Sequence, residues 1–292
     1  MSKAETVDLD DGGVLGYQEY GHPGGRPVFL LHGTPGSRKG PRPRTFVLHL
    51  NRVRLIAYDR PGYGCSARRS GRSVADAARD VRLLADRLGI GSFAVVGRSG
   101  GAPHALACAA LLPDRVVRAA ALVAVAPRDL MGEQWFHGMN ERNAEWYRMA
   151  ERGIKAYTAH VIESMNRSRT DPDAFLPYED PELPKADRAV ISDHGIRTML
   201  TENFEEGLRP NVGGWIDDNL ALINPWGFDP AAIAVDVQLW HGTADRYSPV
   251  GHSQWLADAI PKADLLLGHG RSHFGAVEEL PRVLRWAAAG FD

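Results

Sequence analysis

Apolar and polar positions alternate between two rhythms along this chain. Residues 28–31, 53–58, 93–96, 116–125, 235–240 and 263–267 are short apolar runs edged by Gly, Pro or charge. Their length and β-branched content suit buried strands. Residues 6–10 and 14–20 alternate loosely around Asp11-Gly12-Gly13, which predicts an opening β-hairpin. The segments between the runs follow a helical period. Residues 74–88 place apolar side chains at 74, 77, 78, 81, 84, 85 and 88 and are followed by Gly89, a suitable residue just past a helix end. Helices are also expected over 44–51, 100–112 (stopped by Pro113), 249–260 and 274–289. A hairpin followed by alternating strands and helices predicts an α/β fold: a mostly parallel, eight-stranded sheet with helices on both faces.

The alternation stops between about residues 128 and 227. This stretch is rich in Trp, Met, Asn and charge, and prolines punctuate it at Asp171-Pro172, Asp180-Pro181 and Leu183-Pro184. Its patterning is helical. The expected organisation is a core in two parts, 1–127 and 228–292, with a helical cap inserted at 128–227.

Composition narrows the function classes. A chain of 292 residues can bury a sizeable core without staples. Its 44% hydrophobic and 24% charged content sets aside disordered and fibrous classes. A net charge of −2 gives no reason to expect nucleic acid or an anionic membrane as partner. Cys65 and Cys108 form no disulfide framework and match no zinc spacing. The first residues carry no apolar signal core, and the longest apolar run, 119–126, is far too short to span a bilayer. A cytoplasmic protein acting on a small molecule is expected, with no cofactor and no metal. Oligomeric state is not readable.

The candidate chemistry centres on Gly97-Arg98-Ser99-Gly100-Gly101, which leaves the apolar run 93–96 and opens a helical one. Strand, sharp turn and helix are the setting of a nucleophile elbow. Gly97 and Gly101 lack the Cβ atoms that would collide in such a turn. Ser99 Oγ is then presented at the carboxyl end of the sheet, where α/β folds bind ligands. The Gly100 N–H, at a helix N-terminus, is one donor for a developing oxyanion. A second is expected from His32-Gly33-Thr34-Pro35-Gly36-Ser37. Pro35 has no N–H, so Thr34 is the candidate; His32 reads as structural. Arg98, an uncommon occupant before a nucleophile, reads as a surface residue, with a cap carboxylate as the other possible partner.

An acid belongs on a loop after a late strand. Asp245, in His241-Gly242-Thr243-Ala244-Asp245, is the first choice; Asp129, Asp217 and Asp218 are the alternatives. The base follows the last strand, in Gly268-His269-Gly270-Arg271-Ser272-His273-Phe274, where His273 is preferred to His269. No zinc-protease helix motif, cysteine quartet, phosphate-binding P-loop or dinucleotide fingerprint is present.

The order Ser…Asp…His, the His32-Gly33 loop, the turn Asp59-Arg60-Pro61-Gly62-Tyr63-Gly64 and the His241–Asp245 stretch resemble the α/β-hydrolase superfamily, over 5–127 and 228–292. The resemblance implies a serine hydrolase of the carboxylesterase or proline iminopeptidase kind, and makes the Asp59 turn structural. Thr34, Arg98 and Gly100 depart from the usual iminopeptidase motifs. The first expectation is hydrolysis of a small-molecule ester, with Ser99, His273 and Asp245 as the triad and Thr34 and Gly100 as the oxyanion hole. An aminopeptidase or amidase is the alternative: acidic cap residues Glu133, Glu141, Glu145, Glu202, Glu205, Glu206, Asp217 and Asp218 are candidates to hold a substrate amine, or form a solvated face. A ligand receptor that kept the fold without hydrolysis is the third reading. The aromatics Trp135, Phe136, Trp146, Tyr147, Phe204, Trp215, Trp226 and Phe228 are candidates for an apolar pocket.

Overall fold

The computed structural model describes residues 4–9, 12–170 and 183–291, with side chains except at 167–170. Asp10, Asp11 and the loops at Asp171-Pro172 and Asp180-Pro181 lie outside the described residues. Eight strands form one sheet: β1 (Glu5–Asp8), β2 (Val14–Gly21), β3 (Arg26–Leu31), β4 (Val53–Tyr58), β5 (Phe93–Arg98), β6 (Val116–Leu122), β7 (Asp236–Gly242) and β8 (Ala263–Gly268). Their order is β1-β2-β4-β3-β5-β6-β7-β8. The hairpin strands β1 and β2 pair antiparallel, β2 meets β4 antiparallel, and the six strands from β4 to β8 run parallel.

Side-chain alternation assigns each face of the sheet its own core. On β5, Phe93 and Val95 pack in one cluster with α2 (Asp76–Arg87), α3 (Gly101–Leu111) and α10 (Gly251–Ala259). Ala94 and Val96 pack in the other with α1 (Thr45–Leu50) and α11 (Gly275–Ala288). This period of two on a strand buried on both sides is why the runs carry almost no polar residue. Helix α2 begins two residues later than the apolar period suggested, where Asp76 Oδ2 accepts from the Ser73 N–H at 2.8 Å. Strand β6 ends at Leu122 rather than 125, because Val123 adopts φ +45° and turns the chain off the sheet.

Between β6 and β7 the described residues carry helices and no strand: α4 (Arg128–Met131), α5 (Glu141–Arg152), α6 (Ile154–Thr170), α7 (Lys185–Ile191), α8 (His194–Gly207) and α9 (Gly213–Ile223). Asn140 caps α5 through the Asn143 N–H, and Asp193 caps α8 through the Ile196 N–H. Helices α5, α6 and α9 share a cluster that includes Tyr157, Val161 and Trp215 and closes on Tyr63. Val190, Ile191 and Leu200, from α7 and α8, pack on Phe274. Both clusters lie beside loops leaving the carboxyl ends of the parallel strands. No helix among the described residues is long and apolar enough to cross a membrane.

Candidate active site

Strand β5 ends at Arg98, and Ser99 turns the chain into α3 with φ +54°, the left-handed region an L-residue rarely adopts. The flanking glycines permit it. A Cβ on Gly97 would overlap the Gly101 carbonyl, and one on Gly101 would overlap the Leu31 and His32 carbonyls. The Ser99 N–H stays anchored to Leu122 O at 2.9 Å. Backbone strain held by the surrounding sheet presents the Ser99 side chain, partly exposed, to a cavity.

His273, in the loop between β8 and α11, places Nε2 at 3.1 Å from Ser99 Oγ and Nδ1 at 2.8 Å from Asp245 Oδ2. An ionised carboxylate only accepts, so Nδ1 carries the proton and Nε2 is free to accept from the serine hydroxyl. Asp245 follows β7 and is fully buried as a side chain. Its Oδ1 accepts from the Tyr247 N–H at 2.8 Å and the Ser248 N–H at 3.1 Å. Burial pushes its pKa up, but His273 and His241 outweigh that and hold the carboxyl below the ordinary carboxylate range. The alternatives lie elsewhere: Asp129 and His269 are exposed, and Asp217 and Asp218 pair with arginines.

The loop after β3 packs onto the elbow. A Cβ on Gly100 would overlap the Thr34 side chain and sit 3.3 Å from the Thr34 nitrogen, so the two residues are complementary in shape. Neither the Thr34 N–H nor the Gly100 N–H has an acceptor among the described residues. Two backbone donors thus stand beside Ser99 with nothing to bind. His32 is buried and structural in its contacts: Nε2 accepts from the Arg60 N–H at 3.1 Å, and Nδ1 lies 2.7 Å from Gly33 O.

What holds this loop was not legible in the local sequence. Asp218 of α9 is buried and accepts from the Thr34 hydroxyl at 2.6 Å, Arg60 Nη2 at 2.5 Å, Arg72 Nη2 at 2.5 Å and Tyr63 OH at 2.9 Å. Burial would raise its pKa; Arg60, Arg72 and His104 overturn that and hold it well below the usual range. Arg60 also donates to the His32 and Gly33 carbonyls. The Asp59 turn is structural as read: Asp59 binds the Arg38 N–H at 2.7 Å and the Cys65 N–H at 2.9 Å. Asp59, Cys65 and Glu206 are one group with metal-ligand atoms close together. Both carboxylates already pair with Arg38, at 2.5 and 2.9 Å, which supplies the positive charge a cation would bring.

A cavity of about 470 Å³ opens over Ser99 and His273. It divides the candidate aromatics. Trp146, Tyr147, Phe204 and Trp215 line it, whereas Trp135, Phe136, Trp226 and Phe228 belong to the core under α3 and α10. Arg98 is a correction: it is no surface residue but 7% exposed, and it lines the cavity. Strand alternation turns its side chain away from α3 and toward Phe274, whose ring centroid is 6.0 Å from its guanidinium carbon. The acidic residues also divide. Glu133, Glu141, Glu145, Glu202 and Glu205 are exposed, while Glu206, Asp217 and Asp218 are buried in ion pairs rather than solvated.

Comparison with known proteins adds the following. The profile of the alpha/beta hydrolase fold family matches residues 26–279. The chain is similar to the proline iminopeptidase of Neisseria meningitidis serogroup B, 26% identical over 270 residues, 85% of this chain and 83% of that protein. It is also similar to the pimeloyl-[acyl-carrier protein] methyl ester esterase of Chromobacterium violaceum, 28% identical over 241 residues, 82% of this chain and 84% of the other. Among solved structures, the enol-lactonase from Burkholderia xenovorans LB400 superposes with a TM-score of 0.70 at 19% identity, covering 98% of this chain and 99% of that one.

Proposed function

The chain belongs to the α/β-hydrolase fold family, and on that premise we propose that it is a serine hydrolase that cleaves small-molecule carboxylic esters through an acyl-enzyme on Ser99. The observation that carries this reading is the hydrogen-bonded chain from Ser99 Oγ to His273 to Asp245, set beside two unoccupied N–H donors.

In this mechanism His273 Nε2 accepts the Ser99 proton as Oγ attacks the ester carbonyl. The tetrahedral oxyanion is received by the Thr34 and Gly100 N–H groups, each such donor contributing about 10²–10³-fold in kcat. Collapse breaks the bond to the leaving oxygen, which takes the proton from His273 and departs as the alcohol. Water, deprotonated by the same imidazole, then hydrolyses the acyl-enzyme to the acid and free Ser99. Asp245 fixes the imidazole tautomer and stabilises the transient imidazolium. The helices between β6 and β7 act as a cap that selects the acyl and alcohol groups, through Trp146, Tyr147, Phe204 and Trp215, the aromatics they bring to the cavity.

A second reading, an aminopeptidase of the proline iminopeptidase kind, is favoured by the Neisseria relative. A substrate amine wants a carboxylate to receive it, and none of the described residues lining the cavity is Asp or Glu. That absence supports the ester reading. Steady-state assays with p-nitrophenyl butyrate and with proline p-nitroanilide separate the two. Turnover of the ester well above that of the anilide is expected; efficient cleavage of the anilide with a poor ester rate contradicts it.

A further inference from the structure

Four arginines are buried among the described residues: Arg38, Arg60, Arg72 and Arg98. Three have carboxylate partners. Arg38 pairs with Asp59 and Glu206, and Arg60 and Arg72 both pair with Asp218. Arg98 alone has none. Its side chain makes no ion pair or hydrogen bond with any described residue, and its Nη1 is a buried donor without an acceptor.

A guanidinium does not shed its proton to escape such a site. Burial pushes the Arg98 pKa down to about 10, against Asp187 and Asp245, so the group remains a cation at neutral pH. A buried charge with no hydrogen-bonded partner is costly. The two nearby carboxylates are occupied. Asp187 accepts from Ser272 Oγ and the Phe274 N–H, both at 2.7 Å, and Asp245 is taken up by His273 and two backbone donors.

The Arg98 guanidinium lies beside Phe274, and both residues line the cavity over Ser99. It reaches between Phe274 and the loop after β3, where a Cβ on Gly33 would lie 3.4 Å from its Nη2. The cavity's other Arg, Lys, Asp or Glu lining residue among those described is Arg142, also a cation; Asn140, Asn143, Asn219 and serines add polar lining without charge.

We infer that Arg98 is an anion subsite of this cavity, and that the ester or lactone opened at Ser99 carries a carboxylate. Arg98 and Ser99 line one cavity, so carboxylate and scissile carbonyl belong to one small molecule, a monoester of a short dicarboxylic acid or a carboxylated lactone. The subsite also orients the substrate, because a planar guanidinium holds a carboxylate by two parallel bonds. This inference rests on the hydrolytic reading of Ser99 and names the substrate class for it.

The test compares mono-p-nitrophenyl glutarate with p-nitrophenyl pentanoate, its near-isosteric neutral counterpart. The wild type is expected to favour the carboxylated ester in kcat/KM by about 30-fold, the scale of a charge-assisted hydrogen bond. In Arg98→Met that ratio falls to near one, and Arg98→Lys restores part of it. Equal rates in the wild type, or equal losses on both esters in Arg98→Met, overturn the subsite. Should Arg98→Met fail to fold, the wild-type ratio decides alone. Calorimetric titration of Ser99→Ala with monomethyl glutarate and with its amide reads the same subsite without turnover: the acid binds and the amide does not. Turnover of both esters without preference overturns the subsite and leaves the hydrolytic reading standing. Selective binding of the acid with no ester turnover does the reverse.

Discussion

The Thr34 hydroxyl donates to Asp218 Oδ2 across 2.6 Å, which ties the loop after β3 to helix α9. The same carboxylate receives Arg60 and Arg72, and Arg60 in turn holds the His32 and Gly33 carbonyls. The loop after β3 is therefore positioned from two sides, by the Asp59 turn and by the helices between β6 and β7. Thr34→Val keeps the side-chain shape and removes the donor. A fall of about 10-fold in kcat with little change in KM is expected, since removing a complete oxyanion donor costs about 10²–10³ and here the N–H is only loosened. Steady-state kinetics with a p-nitrophenyl ester reads it.

Asp218→Ala leaves two buried guanidinium groups without a counter-charge. Breaking such a pair is expected to cost about 3–5 kcal/mol of folding stability. Urea unfolding measures it, and a loss below about 1 kcal/mol would mean that water compensates the arginines.

The proposed triad makes a graded set. Ser99→Ala and His273→Ala are each expected to lower kcat by about 10⁶-fold, and Asp245→Asn by about 10⁴-fold. The double change Ser99→Ala with His273→Ala should lose little more than either alone, because the residues act as a unit. Single-turnover assays at high enzyme concentration reach these rates.

The elbow glycines separate stability from activity. Gly97→Ala drives a methyl into the Gly101 carbonyl at the start of α3, and Gly101→Ala drives one into the Leu31 and His32 carbonyls, each at an expected cost of about 1–3 kcal/mol. Gly100 has an ordinary helical φ of −56°, so a side chain there strains no dihedral but displaces Thr34. Gly100→Met is expected to lower kcat by about 10²-fold while thermal unfolding shifts by only a few degrees.

Burial pushes the pKa of His104 and His252 down to about 3. The folded protein thus holds both neutral, while the unfolded chain takes up protons below about pH 6.5. Between those values the unfolded state binds more protons, so stability falls as the pH falls. The contribution is complete above about pH 6.5. His252→Gln is expected to lose less stability than the wild type between pH 6.5 and 4, by up to about 3 kcal/mol for this single group. Denaturant melts at both pH values check it.

The elements of the sheet were legible because burial on both faces leaves an almost unbroken apolar run, as at Phe93–Arg98, where every residue is buried. The elbow was legible for a more local reason: Gly97 and Gly101 answer to backbone atoms within the turn and its neighbouring strand. Arg98 was not, since a charge reads as surface until the tertiary neighbours that enclose it are known. Asp218 failed the same way, its partners Arg60 and Arg72 lying more than a hundred residues upstream. The aromatics could not be divided either. Trp135 and Trp146 have the same chemistry, and only helix packing sends the first to Ala126 O in the core and the second to the cavity.

The most direct test of the account is covalent labelling by a fluorophosphonate, followed by mass spectrometry of the digested protein. The account predicts one phosphonylated residue, Ser99, with labelling abolished in Ser99→Ala and strongly slowed in His273→Ala. An unlabelled wild type, or an adduct that persists in Ser99→Ala, would contradict it.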